Sequence, residues 1–188
     1  MGVGGMRLTK LALQGLWIAE STPHLDVRGC FARLFCNEEL ASTHCASTIA
    51  QINLSRTEKV GAIRGMHFQF PPHAEIKLVR CLRGCIFDVA VDLRHGSETF
   101  LQWHGETLSA DNWRMMVIPE GFAHGFQVLE GVAELLYLHS AAFVPGSEGG
   151  VRHDDPIVDI EWPLPVTNVS ERDTGFDFIS DNFQGIQL

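Results

Sequence analysis

The sequence is poor in tyrosine, in basic residues, in paired cysteines and in long apolar runs. Tyr137 is its one tyrosine, so a reaction that needs a phenol has a single candidate. Lysine and arginine total 14 against 23 aspartates and glutamates, a formal charge of -9. That charge repels polyanions and argues against nucleic-acid binding through a broad basic face. A phosphorylated small molecule would then need a local arginine cluster, for which Arg28, Arg33, Arg64 and Arg80 are available. The cysteines, Cys30, Cys36, Cys45, Cys81 and Cys85, are odd in number and lack Cys-x-x-Cys spacing. This speaks against a disulfide frame or a zinc site and for free thiols in a reducing cytoplasm. Charge interrupts the longest apolar stretches well short of a bilayer span. The opening "MGVGGM" has neither the basic nor the apolar region of a signal peptide, and Met6 stands where myristoylation wants Ser or Thr. A cytoplasmic protein with no membrane partner is expected.

With 188 residues, 45% hydrophobic and 20% charged, the chain is expected to form one domain over 1–188, without repeats or low-complexity segments. Its dominant period is two. In "CIFDVAVDL", Phe87, Val89, Val91 and Leu93 share one face while Asp88, Ala90 and Asp92 share the other, which is the pattern of a sheet strand. Similar runs recur about every ten residues at "LALQGLWIAE", "CFARLFC", "STIAQINLS", "AIRGMHFQF", "IKLVRCL", "TFLQWHGETL", "RMMVIPE", "AHGFQVL" and "AELLYLHSA". Only "NEELASTH" and "SADNW" read as helical turns, with Asn37 and Ser109 as N-caps. The spacing predicts an all-β sandwich or jelly-roll barrel with its core over about 20–150. Alternation fades beyond Glu148, so about 151–188 reads as a tail wrapped over the barrel.

The stretch "RGMHFQFPPHAEIKLVRCLRG", residues 64–84, concentrates polar side chains on two runs separated by Pro71 and Pro72. A chain folded back at these prolines sets Lys77 nearly opposite His67, with Gly65, His67 and Gln69 on one face and Lys77, Val79 and Cys81 able to share it. His124 lies between Gly121 and Gly125, and Tyr137 and His139 share a strand face opposite Leu136 and Leu138. Taken singly, His67 reads as a hydrogen-bonded structural histidine, Lys77 as an edge residue and Tyr137 as a packing residue. Converging inside one small barrel, a base, a cation and a phenol are costly to bury without a use for them.

Part of the pattern resembles the metal motif of small cupin jelly rolls. Gly61, His67 and Glu75 match one segment and Pro119, Gly121 and His124 the second, but Gln69 replaces a ligand histidine. Glutamine is a weak ligand for a transition metal, so neither a tight metal site nor any other cofactor is expected.

The segments "DVRGCF", "IRGMHFQ", "KLVRCLRG", "IFDVAVDLR", "SETF", "LSADN", "IPEGFAHGFQVL" and "DDPIVDIEWPL", running in order over about residues 20–173, resemble the dTDP-4-dehydrorhamnose 3,5-epimerase family. These are metal-independent cupins acting on nucleotide-linked 4-keto sugars. The resemblance implies a cupin jelly-roll barrel and an epimerase of a dTDP-linked 4-keto-6-deoxy sugar in deoxysugar biosynthesis. It implies His67 as the base, Asp173 as the carboxylate behind it, Tyr137 as the acid on the far face and Lys77 as the cation beside the C4 oxygen. It further implies Arg28, Gln51, Asn53, Arg64, His124, Glu148 and Arg172 as contacts to nucleotide, diphosphate or sugar. A homodimer that exchanges N-terminal strands is also implied. Arg33, counted with the substrate-binding residues, stands where rhamnose-pathway members carry glutamate, and Ala142 where they carry an aromatic wall. These departures leave open which sugar is bound and whether C3, C5 or both are inverted. A keto-sugar isomerase and a non-catalytic sugar-nucleotide-binding cupin are the alternatives on the same scaffold.

Overall fold

The computed structural model describes residues 4–43 and 49–188. Eleven strands follow one another: β1 (Met6–Lys10), β2 (Trp17–Ser21), β3 (His24–Asp26), β4 (Gly29–Phe31), β5 (Gln51–Thr57), β6 (Ile63–Gln69), β7 (Lys77–Asp92), β8 (Trp103–Ser109), β9 (Arg114–Ile118), β10 (Phe122–His139) and β11 (Glu148–Gly150). One short helix, α1 (Glu171–Thr174), lies near the end. Nine strands form one antiparallel sheet in the order β1-β2-β9-β7-β10-β6-β11, with β5 on β10 and β8 on β7, and β3 and β4 make a separate hairpin. This is the all-β jelly roll that the spacing of the sequence predicts, in the cupin form that the resemblance implies.

The centre is built by two long strands that the sequence divides into four runs. "IKLVRCL" and "CIFDVAVDL" belong to β7, and "AHGFQVL" and "AELLYLHSA" to β10. The strands pair along their whole length, but their register shifts between Val128 and Leu135. Gly84 sits there with φ +78°, and a Cβ on it would lie 2.7 Å from the Val132 carbonyl oxygen, so the strands approach only because the residue is glycine. The irregularity switches the parity of the buried face. Val79 and Cys81 before it, and Ile86 and Ala90 after it, all join one core inside the barrel. Phe87, Val89, Val91 and Leu93 belong to a second core on the outer face, closed by Val151, Val158, Ile160, Trp162, Ile179, Phe183 and Ile186 of the tail. A third core joins Leu78, Met115 and Leu138 to Ala19, Leu40 and Phe35.

Several expectations need correction. β6 does not pair with β7 as a hairpin about the two prolines, because β10 runs between them. β1 lies outside every run of expected alternation, and "CFARLFC" is a strand only through Phe31. "SADNW" is a turn, in which Asn112 N donates to Ser109 Oγ at 3.1 Å and Ser109 N to Asn112 Oδ1 at 3.2 Å, so Ser109 caps without a helix following. In "NEELASTH" the first turn closes on the Cys36 carbonyl rather than at Asn37, and a 3-10 turn follows over Ala41–Thr43. His44 and Cys45 lie outside the described residues. The thiols of Cys30, Cys36, Cys81 and Cys85 are free. Among the described residues no helix is long and apolar enough to cross a membrane.

Candidate active site

At the start of β6 the strand passes unusually close to β10. A Cβ on Gly65 would lie 2.5 Å from Gly125 Cα, and one on Gly125 would lie 2.6 Å from Met66 Sδ. Two facing glycines remove both obstacles, and a register irregularity between His124 and Phe126 follows, with His67 and His124 as cross-strand partners. Opposite them, on β10, Tyr137 and His139 point to the same side, their rings stacked at 5.8 Å between centroids and 12° between planes. His124 meets the Tyr137 ring edge-on, also at 5.8 Å.

The tail supplies the carboxylate behind His67. Ser170 caps α1 by accepting from Asp173 N at 3.1 Å, and that single turn holds Asp173 in the wall. Asp173 Oδ1 lies 2.7 Å from His67 Nε2, and Oδ2 accepts from Gly65 N at 3.2 Å. Burial works against the Asp173 charge, but the hydrogen bond from His67 and those from Gly65 and Ser170 outweigh it and hold the carboxyl below its usual range. An ionised carboxylate only accepts, so His67 Nε2 is the donor, and in the neutral imidazole the lone pair then sits on Nδ1.

Lys77, buried at the start of β7, donates from Nζ to the His67 carbonyl oxygen at 2.9 Å and lies 3.3 Å from Glu75 Oε1. Burial lowers its affinity for the proton, and the Glu75 and Glu148 carboxylates oppose that loss. Burial, reinforced by the Asp88 charge, pushes the Tyr137 phenol well above its ordinary value, which makes it a proton donor and not an anion. Behind it His124 Nε2 meets Asp88 Oδ1 at 2.7 Å, and burial raises the Asp88 carboxyl against the opposing pull of His124.

His67, Lys77, Tyr137 and Asp173 line one cavity of about 470 Å³, together with Asn53, Arg64, His124, Glu148 and Arg172 of the expected binding set. Three expected residues lie elsewhere. Gln51 accepts from Phe143 N at 3.0 Å beside the cavity. Arg28 sits at the exposed tip of the β3–β4 hairpin paired with Asp26, and Arg33 is paired with Glu39. Arg80, a further member of the possible arginine cluster, is buried, and its Nη2 donates to Ser21 Oγ at 2.7 Å. Gln69 is a fastener. Its amide nitrogen donates to the carbonyl oxygens of His73 and Ala142 at 3.1 and 3.3 Å, and its oxygen accepts from Val144 N at 2.9 Å. Among the described residues no group of three His, Cys, Asp or Glu side chains is placed to hold a metal ion.

A family model described as dTDP-4-dehydrorhamnose 3,5-epimerase matches residues 10–181. The chain belongs to this family. The dTDP-4-dehydrorhamnose 3,5-epimerase of Salmonella typhimurium is 44% identical over 162 residues, covering 85% of this chain and 87% of that protein. The dTDP-4-dehydrorhamnose 3-epimerase of Streptomyces niveus is 37% identical over 169 residues, covering 89% and 81%. The crystal structure of dTDP-4-dehydrorhamnose 3,5-epimerase from Bacillus anthracis, with TDP and PPi bound, matches with a TM-score of 0.90 at 33% identity, covering 93% of this chain and 100% of that one.

Within this epimerase fold, the cavity wall also includes Ser55, Thr57, His139, Asn168 and Ser170, none of them expected as site residues, and Glu75, expected only as part of an incomplete metal motif. Two features left a signal in the sequence: Asp88 interrupts an apolar alternating run, and Glu75, besides matching the metal motif, stands two residues before Lys77, the spacing of one strand face.

Proposed function

We propose that this member of the family inverts carbon C3, C5 or both of a dTDP-linked 4-keto-6-deoxy sugar by proton removal and return through an enolate. A ketone at C4 acidifies the protons on both neighbouring carbons, so a base, a facing acid and a cation for the developing oxyanion suffice. The observation that carries the reading is the gathering of the His67–Asp173 pair, Lys77 and Tyr137 in one cavity. His67 Nδ1 takes the carbon-bound proton while Asp173 stabilises the imidazolium that forms. Lys77 faces the C4 oxygen in a desolvated wall, where a fixed charge acts more strongly than in water. Tyr137 returns a proton to the opposite face. Arg64 and Arg172, with Asn53, His124 and Glu148, serve the diphosphate and sugar, and no cofactor enters the scheme.

The free thiols fit a reducing compartment, and the reading places the enzyme in the cytoplasm. We take the working form to be a homodimer, in which the arm carrying Arg28 reaches a second site. Its exposed Leu25, Val27 and Phe31 support this.

Incubation with dTDP-4-keto-6-deoxyglucose in deuterated water tests the proposal. Deuterium enters C3, C5 or both, chelators have no effect, and the carbon that exchanges fixes the regiochemistry. His67→Asn lowers kcat by about 10³-fold, within the range for loss of a general base. Tyr137→Phe retains exchange but loses inversion, because His67 still returns a proton to the face it came from. Absence of exchange with every 4-keto nucleotide sugar refutes the reading, and a product with a relocated carbonyl shows an isomerase instead.

A further inference from the structure

Glu75 and His139 form a further carboxylate–histidine pair in the same cavity. Glu75 Oε2 lies 2.8 Å from His139 Nδ1, while Oε1 lies 3.3 Å from Lys77 Nζ. Side-chain exposure is only 9% for Glu75, 9% for Lys77 and 12% for His139, so none of these groups is screened by bulk water. His139 and Lys77 face each other in the β10–β7 register, and His139 Nε2 lies 3.5 Å from Asn53 Nδ2. Each oxygen of Glu75 thus has its own partner, and the closer contact is with the histidine.

That division matters for Lys77. A carboxylate in tight contact with the ammonium would quench the charge, whereas no carboxylate would leave a buried cation unpaired. His139 draws the Glu75 carboxylate to one side and leaves it near enough to compensate Lys77 but not clamped on it. Of the three ammonium protons, one goes to the His67 carbonyl and one toward Glu75, and the third is left for the cavity that Lys77 lines. The other neighbours cannot replace Glu75. β9 offers Ile118 in register, β6 the His67 carbonyl and ring, β11 the Glu148 carboxylate already paired with Arg172 at 2.7 Å, and the far wall the Arg64 guanidinium and the His124–Asp88 pair.

We infer that Glu75, oriented by His139, is a positioning residue that keeps Lys77 charged and fixed in the cavity for binding the substrate carbonyl. The last clause rests on the epimerase reading. The first is independent of it, since burial alone disfavours the lysine charge and Glu75 is the largest opposing influence.

The chain has three lysines, Lys10, Lys59 and Lys77, so side-chain carbon NMR of lysine-labelled protein resolves Lys77, with Lys77→Met providing the assignment. In Glu75→Gln the Lys77 midpoint falls by about one pH unit or more, the size expected for losing an opposite charge at this range. Glu75→Asp, which keeps the charge, lies between the two. His139→Asn, which retains a donor where Nδ1 sits, leaves the midpoint near that of the parent, and His139→Leu lowers it. In turnover assays the basic limb of kcat moves down with the same variants while KM changes little. Equal midpoints for the parent and Glu75→Gln overturn the inference, as does an activity loss in Glu75→Gln that is the same at every pH. The titration needs no substrate, so failure of the epimerase reading would show separately, as absent turnover by the parent.

Discussion

Asp173 illustrates how much one side chain decides at the residue scale. It accepts from His67, Gly65 and, through its own backbone N–H to Ser170, closes the turn that places it. Asp173→Asn offers His67 an amide that can donate as well as accept, so the imidazole loses the fixed tautomer that leaves Nδ1 basic. An activity loss of about 10²-fold or more with little change in KM is expected, measured by deuterium exchange at saturating substrate. Because its carboxyl sits below the ordinary value in the folded protein, the pairing contributes stability above the unfolded value, about pH 3.9, and loses it as pH falls further. His67, Lys77 and Tyr137 could be singled out in the sequence because a base, a cation and a phenol converge on strand positions of one barrel, whereas their proposed roles come from the family resemblance. The Glu75–His139 pair could not, since 64 residues separate its members and nothing local fixes the register that joins them.

Among the elements, the turn after β7 is held by a residue that does no chemistry. Asp92 is fully buried, yet Oδ1 accepts from Arg94 N at 3.0 Å and Arg94 Nε at 2.8 Å, and Oδ2 from Arg94 Nη2, Ser97 Oγ and Thr99 Oγ1, each at 2.6 Å. Burial disfavours its charge, but these donors outweigh that and depress the carboxyl. Asp92→Asn keeps the shape and loses both the charge and part of the acceptor set. It should cost about 3 kcal/mol, seen as a lower denaturation midpoint at pH 7. The loss should shrink below about pH 4, where the parent carboxyl also begins to protonate in the unfolded chain. A constant deficit down to pH 2 would contradict this account. The same strand shows why element type was easier to read than continuity. Alternation marks β7 and β10 clearly, but each contains an irregularity that changes which parity faces inward, and a change of parity reads in sequence as the end of one strand and the start of another.

For the whole molecule the open question is what the arm does. β3 and β4 form a three-residue-per-strand hairpin separate from the main sheet, and Leu25 and Phe31 on it are 71% and 62% exposed. An isolated hairpin of this kind is marginal in water, and so much apolar surface on a short ribbon is a poor end state for a monomer. β5 offers a matching deficit, since among the described residues it pairs with β10 alone and its Ile52 and Leu54 are 61% and 64% exposed. Arg28, at the hairpin tip and outside the cavity of its own chain, has a role in the arginine set only if another subunit brings it there. A dimer in which each arm covers the partner answers both deficits and returns Arg28 to a site. Sedimentation should then give twice the chain mass of 20.9 kDa, and the thermal midpoint should rise with protein concentration. Val27→Asp on the arm should shift the protein toward monomer, while Arg28→Ala should leave the dimer intact and raise KM about 10-fold, as for loss of one charge-assisted contact to phosphate. A fully active monomer at all concentrations would remove the arm from the site and leave Arg64 and Arg172 to hold the diphosphate alone.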